Sequence, residues 1–230
     1  MDIEKDIKLL AIRMLIALKH FYTFKELEDL LGISYQRLWR YIEFHTFPEH
    51  QTAKKILMTI KEKKLVENVI ERISEDKTSL KDWILVRNTG FLELTSLLVA
   101  DAVRSLKIGY IISAEDPFSI AFSSILASKM RTNLCIISDV YSDEEFFFGY
   151  ARGDKRIKML ALPKSCVDKK KASIFVKFRA KSCSELEDYI SFLRKIDLRN
   201  LKVVIVLSET DVDKLKEVFE DIICLIKLRV

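Results

Sequence analysis

Two hydrophobic periods divide this chain. In its first third apolar residues return every three or four positions, and Ile7, Leu10, Ala11, Met14, Leu15 and Leu18 mark one face of a first amphipathic helix. Thr23 followed three residues later by Glu26 is an N-cap with a capping-box glutamate, which predicts a second helix over 24–31. Gly32 supplies a sharp turn, and Ser34 is expected to cap a third helix over 35–44. On that reading Leu27, Leu30, Ile33, Leu38 and Ile42 pack inward, Tyr35, Gln36, Arg37 and Arg40 face outward, and Trp39 is partly buried. Thr52 is expected to cap a fourth helix that continues through "AKKILMTIKEKKLVENVIERI". Its Ile56, Ile60, Leu65, Val69 and Ile73 suit packing against the bundle or against a second copy.

After Lys81 the pattern changes to short β-branched runs separated by amphipathic stretches. Strands are predicted over 107–113, 133–138, 172–178, 202–208 and 221–228, with helices over 91–106, 117–130, 184–196 and 211–219. Strands that are apolar on both faces and alternate with helices imply a parallel sheet covered on both sides, so the fold class is α/β. The stretch 143–162 breaks the alternation and reads as a two-stranded hairpin with a turn near Arg152-Gly153-Asp154, available as a lid. The polar run "SEDKTSLKD" is the expected boundary between an all-α domain, 1–75, and an α/β domain, 76–230.

Composition narrows the class. Hydrophobic residues make up 49% of 230, and no run reaches the roughly eighteen uncharged apolar residues of a membrane span, so a soluble, cytoplasmic protein with no membrane partner is expected. The four cysteines are far apart, without C-x-x-C or a nearby histidine pair, which spells neither a zinc site nor a dithiol. Cys135, Cys166 and Cys224 read as buried thiols, and Cys183 falls in a loop. His45 and His50 flank Pro48 and make a poor metal site, so neither a metal nor a cofactor is implied. The net charge of +5 is mild but uneven: residues 1–33 carry five basic and six acidic side chains, residues 34–64 seven basic and three acidic.

That basic segment holds the predicted turn. Two short helices joined by three or four residues with a glycine are the helix-turn-helix arrangement, in which the first outward residues of the second motif helix reach base edges. Tyr35, Gln36, Arg37 and Arg40 are therefore the candidate contacts to double-stranded DNA, with Thr23 and Lys25 at the start of the preceding helix. The alternative is a plain helical hairpin whose polar face is merely solvated. In the α/β part, ligands of such sheets lie beyond the carboxyl ends of the strands, which singles out the loops 113–119, 138–147 and 177–184.

The whole order of parts resembles a family of archaeal regulators that join an N-terminal helix-turn-helix to a type I phosphoribosyltransferase-like domain. "ISYQRLWRYIEFHTFPEHQTAKKIL" is similar to the DNA-binding segment, "SAEDPFSIAFSSILASKM" to the strand, pyrophosphate loop and helix, and "EEFFFGYARGDKRIKMLALPKS" to the hood hairpin. "SIFVKFRAKSCSELEDY" falls where the family carries its phosphoribosyl-diphosphate motif. There the resemblance implies two acids at Lys177 and Phe178, a loop glycine at Cys183 and a pyrophosphate-loop glycine at Phe118. Without the acids the ribose diol has no acceptor pair, and phenylalanine fills space that glycine leaves for diphosphate oxygens.

The resemblance thus implies a transcriptional regulator, a homodimer, with no catalytic residues and a pseudoenzyme domain used for dimerisation and for sensing a phosphorylated or nucleotide-like metabolite. Glu115, Asp116, Lys177, Arg179, Lys181, Ser182 and Ser184 are the candidate ligand-binding residues. Two readings of them stay open, an anion site and an empty relic with the serine as a mere N-cap. Alternatives for the whole chain are an active or bifunctional phosphoribosyltransferase and a non-catalytic partner subunit of an intact paralogue.

Overall fold

The computed structural model describes residues 7–228 except 74–80, 139–144, 153–156, 169, 199, 212–215, 217–218 and 220. It divides into two compact units, Met1–Arg104 and Ser105–Val230. The division falls after the seventh helix rather than at the polar run near 75.

The first unit is helical: α1 Ile7–Leu18, α2 Phe24–Leu31, α3 Tyr35–Ile42, α4 His50–Glu62, α5 Leu65–Ile73, α6 Asp82–Val86 and α7 Thr89–Ala102. Both α1 and α7 are apolar nearly all round, with Leu10, Ile12, Met14 and Leu15 of one and Phe91, Leu94, Leu97 and Val99 of the other fully buried. A helix buried on every side needs helices around it. This is why α7 packs with α1, although the pattern over 91–106 had grouped it with the helices that alternate with strands. Thr23 and Glu26 form the expected capping box, and Arg72 of α5, donating to Glu26, holds its carboxyl down at about 2. Gly32 closes α2 in the left-handed region at φ 64°.

Three local expectations are corrected. Ser34 stands at the N-cap of α3 but its side chain makes no capping bond. Thr52 lies inside the first turn of α4, whose N-cap is Glu49. The long fourth helix is two, because Lys64 turns left-handed (φ 50°) between α4 and α5 and lets both bury apolar faces in the same bundle.

The second unit is the α/β part: β1 Ile108–Ser113, α8 Pro117–Met130, β2 Asn133–Ile136, β3 Phe146–Arg152, β4 Ile157–Pro163, β5 Ala172–Ala180, α9 Cys183–Lys195, β6 Leu201–Ser208 and β7 Ile222–Lys227. Five strands form a parallel sheet in the order β2-β1-β5-β6-β7, and β3 and β4 form the expected antiparallel hairpin. The hairpin turn and most of the helix predicted over 211–219 lie outside the described residues. Cys135 and Cys166 are not free thiols but a disulfide, which ties β2 to the short 3-10 turn after β4; Cys224 is only half-buried. Among the described residues no helix is long and apolar enough to cross a membrane.

Candidate functional site

Two places gather the predicted site residues. At the first, on α3, the outward face forms as the spacing requires. Leu38 is buried, while Tyr35, Gln36, Arg37 and Arg40 are exposed. Within the described residues the Gln36, Arg37 and Arg40 side chains make no hydrogen bond or ion pair, and the Tyr35 ring packs edge-on against Phe24 of α2 at 5.0 Å. Lys25 is exposed. The Thr23 hydroxyl is committed to the capping box, accepting from the Glu26 amide and donating to the Glu26 carboxylate at 2.8 Å.

The sequence reading missed the surroundings of this face. Trp39 is 41% exposed and lies against the His45 ring at 4.9 Å. Phe44 and Phe47 are exposed as well, with Phe44 at φ 58°. A bulky residue in the left-handed region is uncommon, and no pattern in the sequence announces it.

The second place is the junction of β5 and α9. β5 pairs with β6 as far as Arg179↔Leu207 and Ala180↔Ser208, so Lys177 and Arg179 lie inside the strand. Of the loop expected over 177–184, only Lys181 and Ser182 remain between strand and helix. Alternation along the strand sends Lys177 and Phe178 to opposite faces. Phe178 is fully buried against Phe118 and Phe122 of α8, with ring centroids 6.2 and 6.3 Å away.

Lys177 is buried too, its side chain 8% exposed, and its ammonium lies 3.3 Å from Asp116 and 3.1 Å from Glu185. Above it, Glu115 accepts from the Tyr189 hydroxyl at 2.7 Å and from Lys158 of the hairpin at 3.1 Å. Burial alone would raise the Asp116 and Glu115 carboxyls. Lys177 and Ser119 outweigh it at Asp116, Tyr189 and Lys158 outweigh it at Glu115, and both end below their ordinary values. Burial likewise works against the Lys177 charge, but Asp116 and Glu185 hold its pKa above the ordinary lysine value. Burial and the Glu115 charge raise the Tyr189 hydroxyl, so it stays a protonated donor.

Of the remaining candidates, Arg179 and Ser182 are occupied within the chain. Arg179 pairs with Glu209. The Ser182 hydroxyl caps α9 through the Glu185 amide and lies 3.2 Å from Ser184 Oγ, while Lys181 is exposed. The hairpin is fastened over the cluster. Arg152 donates to Asp188 from its backbone amide at 2.7 Å and from its guanidinium at 3.1 Å, and Gly149 lies so close to Phe192 that a Cβ there would come within 2.3 Å of the ring. Around Lys177 three carboxylates thus face two ammonium groups, an excess of negative charge that suits a hydroxyl or an amine better than a phosphate. Among the described residues no group of three or more His, Cys, Asp or Glu side chains is arranged to hold a metal. Glu185 and Tyr189 escaped notice in the sequence. Their signal was their one-turn spacing on α9, opposite a lysine in an otherwise apolar strand.

No protein-family model matches the sequence, and no curated protein matches it. Solved structures do. The adenine phosphoribosyltransferase of Thermoanaerobacter pseudethanolicus is similar at a TM-score of 0.53 with 15% identity, over 63% of this chain and 85% of that one. The Saccharomyces cerevisiae enzyme, solved with adenine and an imino-altritol bisphosphate, gives 0.53 and 16% over 62% and 84%. The Trypanosoma brucei enzyme, solved with AMP, pyrophosphate and ribose-5-phosphate, gives 0.54 and 9% over 64% and 68%. At these identities the likeness establishes the fold alone: the parallel sheet with its small hairpin is a type I phosphoribosyltransferase fold.

Proposed function

We propose that this protein is a DNA-binding transcriptional regulator, a homodimer, whose phosphoribosyltransferase-like unit has lost group transfer and serves for dimerisation and for sensing a small metabolite. The observation that carries the reading is the α3 face. Tyr35, Gln36, Arg37 and Arg40 stand exposed on the helix after a glycine turn, with Gln36 and both arginines uncommitted among the described residues. Arginine forks suit guanine and glutamine suits adenine in a major groove. Lost transfer is supported by Lys177, whose ammonium fills the space among Asp116, Glu185 and Glu115 where a substrate's hydroxyls or a magnesium ion would need free carboxylates.

A homodimer presents two such helices, so its operator is an inverted repeat with half-sites about ten base pairs apart or a multiple of that. Selection from random duplex DNA with the full chain is expected to enrich such a repeat; a pool that enriches no sequence would overturn the reading. Incubation with phosphoribosyl diphosphate and the common nucleobases is expected to release no diphosphate. Release would instead establish an active or bifunctional phosphoribosyltransferase. We propose the cytoplasm as the protein's location, as suits a DNA-binding regulator, and there the Cys135–Cys166 disulfide would meet a reducing pool.

A further inference from the structure

The helical unit contains a cleft that plays no part in the α3 face. Its volume is about 470 Å³, within the range of small-molecule sites, and every described residue that lines it belongs to the helical unit. Arg72, Arg87, His20 and Asn88 supply its polar wall, Phe21 and Ile84 an apolar one, and no carboxylate is among the described residues that line it. Arginine is charged at every accessible pH, and although Arg72 is offset by its pair with Glu26, Arg87 leaves the described wall of the cleft net positive.

The local structure explains why the wall stands. The C-terminal turn of α1 brings His20 directly over Gly90 in the first turn of α7, where a Cβ would come within 2.6 Å of the imidazole side chain. Glycine at 90 is what permits this approach. Asn88 uses its carbonyl oxygen to cap α7 through the Phe91 amide, which leaves its amide N–H groups as donors. The Arg87 guanidinium rests 4.7 Å over the exposed Trp83 ring and forms no ion pair among the described residues. Arg72 donates to the Phe21 carbonyl at 2.8 Å, pairs with Glu26 at 2.7 Å and lies over the Tyr22 ring.

We infer that this cleft binds a small phosphate ester of a flat ring, the phosphate held by Arg87 and Arg72 with His20 and Asn88 donating, and the ring held between Phe21 and Ile84. Occupancy has a route to the proposed DNA-binding face. Glu26 is the capping-box carboxylate of α2, so an anion that draws Arg72 toward the cleft loosens the start of the helix preceding α3. This coupling rests on the DNA-binding reading; the site itself does not.

The test uses the full chain carrying Trp39→Phe, which leaves Trp83 as the one tryptophan of two and places it under Arg87. Titration with phenyl phosphate is expected to change Trp83 emission saturably, with inorganic phosphate weaker and neutral benzyl alcohol without effect. Arg87→Gln should weaken binding about tenfold or more, the loss expected for a hydrogen-bonded charge pair, and Arg87→Lys, which keeps the charge and loses the fork, by less. Melting curves verify that both variants fold. No saturable change at millimolar phenyl phosphate, equal binding of benzyl alcohol, or unaltered binding in both variants would each overturn the site. If the site is confirmed and the wild-type chain binds DNA, phenyl phosphate should shift that affinity, and an unchanged affinity overturns the coupling alone. A chain that binds phenyl phosphate and no DNA upholds the site while the DNA reading falls.

Discussion

Arg37 and Arg40 on α3 and Lys177 and Arg179 on β5 are cations of one chain put to opposite uses. The first pair stands in water, uncommitted among the described residues, while the second is spent inside the protein on Asp116, Glu185 and Glu209. A solvated guanidinium costs little to keep and remains available to a partner. A buried ammonium is tolerated only when acids surround it, and once surrounded it has little left to offer a ligand. The difference bears on where a partner can act: the α3 cations are open to one, whereas the β5 cations are already held by acids of the same chain.

The largest effect that would sharpen this contrast is at Lys177. Lys177→Met leaves the half-buried Asp116 and Glu185 without their cation and should cost up to about 3–5 kcal/mol in denaturant unfolding, whereas Arg37→Ala should stay within about 0.5 kcal/mol of the wild type. The pH dependence gives the sign. Asp116 and Glu115 titrate below their ordinary values in the fold, so their contribution is full above the ordinary carboxylate range and drains away as pH falls through it. Lys177 titrates above its ordinary value, so its contribution holds up to that value and is lost at higher pH. In Lys177→Met the carboxylates lack their cation, and the gap to the wild type should narrow as the pH is lowered; a gap independent of pH would show that the cluster is not electrostatic.

Next in size is the disulfide. Cys135 and Cys166 are 31 residues apart in sequence, and loop entropy puts the cost of opening such a bond at roughly 3–4 kcal/mol. Unfolding curves with and without reductant should differ by that amount, while the DNA affinity proposed for the helical unit should stay unchanged. Thiol counting on the unreduced chain should find two free cysteines, Cys183 and Cys224.

Smaller still, Arg37→Ala should weaken specific DNA binding by about 1–3 kcal/mol and relax selectivity at one base position, measured by competition with altered half-sites. Smallest, Thr23→Ala removes the capping box of α2 and should lower stability by about 1 kcal/mol in thermal unfolding without a change in operator sequence.

What was legible in the sequence was local. The Thr23–Glu26 box, the Gly32 turn and the five apolar strand runs each depend on residues a few positions apart, and each appears in the structure. What escaped depends on residues brought together from afar. Helix α7 lies in the α-helical unit because α1 has an unfilled apolar side, which its own pattern does not disclose. Cys135 and Cys166 meet only because the hairpin returns beside β2, through the Ser138↔Ala161 bridge. Lys177 looked like the end of a strand because a lysine usually seeks water; Asp116 and Glu185, from two other elements, are what let the strand continue past it.

The most direct measurement of the central claim is the salt dependence of binding to the selected operator, for the wild-type chain and for Arg37→Ala/Arg40→Ala. Wild-type affinity should fall steeply and linearly with the logarithm of salt concentration, and the double variant should fold normally but bind far more weakly with a shallower slope. Equal affinity and slope in the two proteins, or no binding by the wild type at low salt, would contradict that claim.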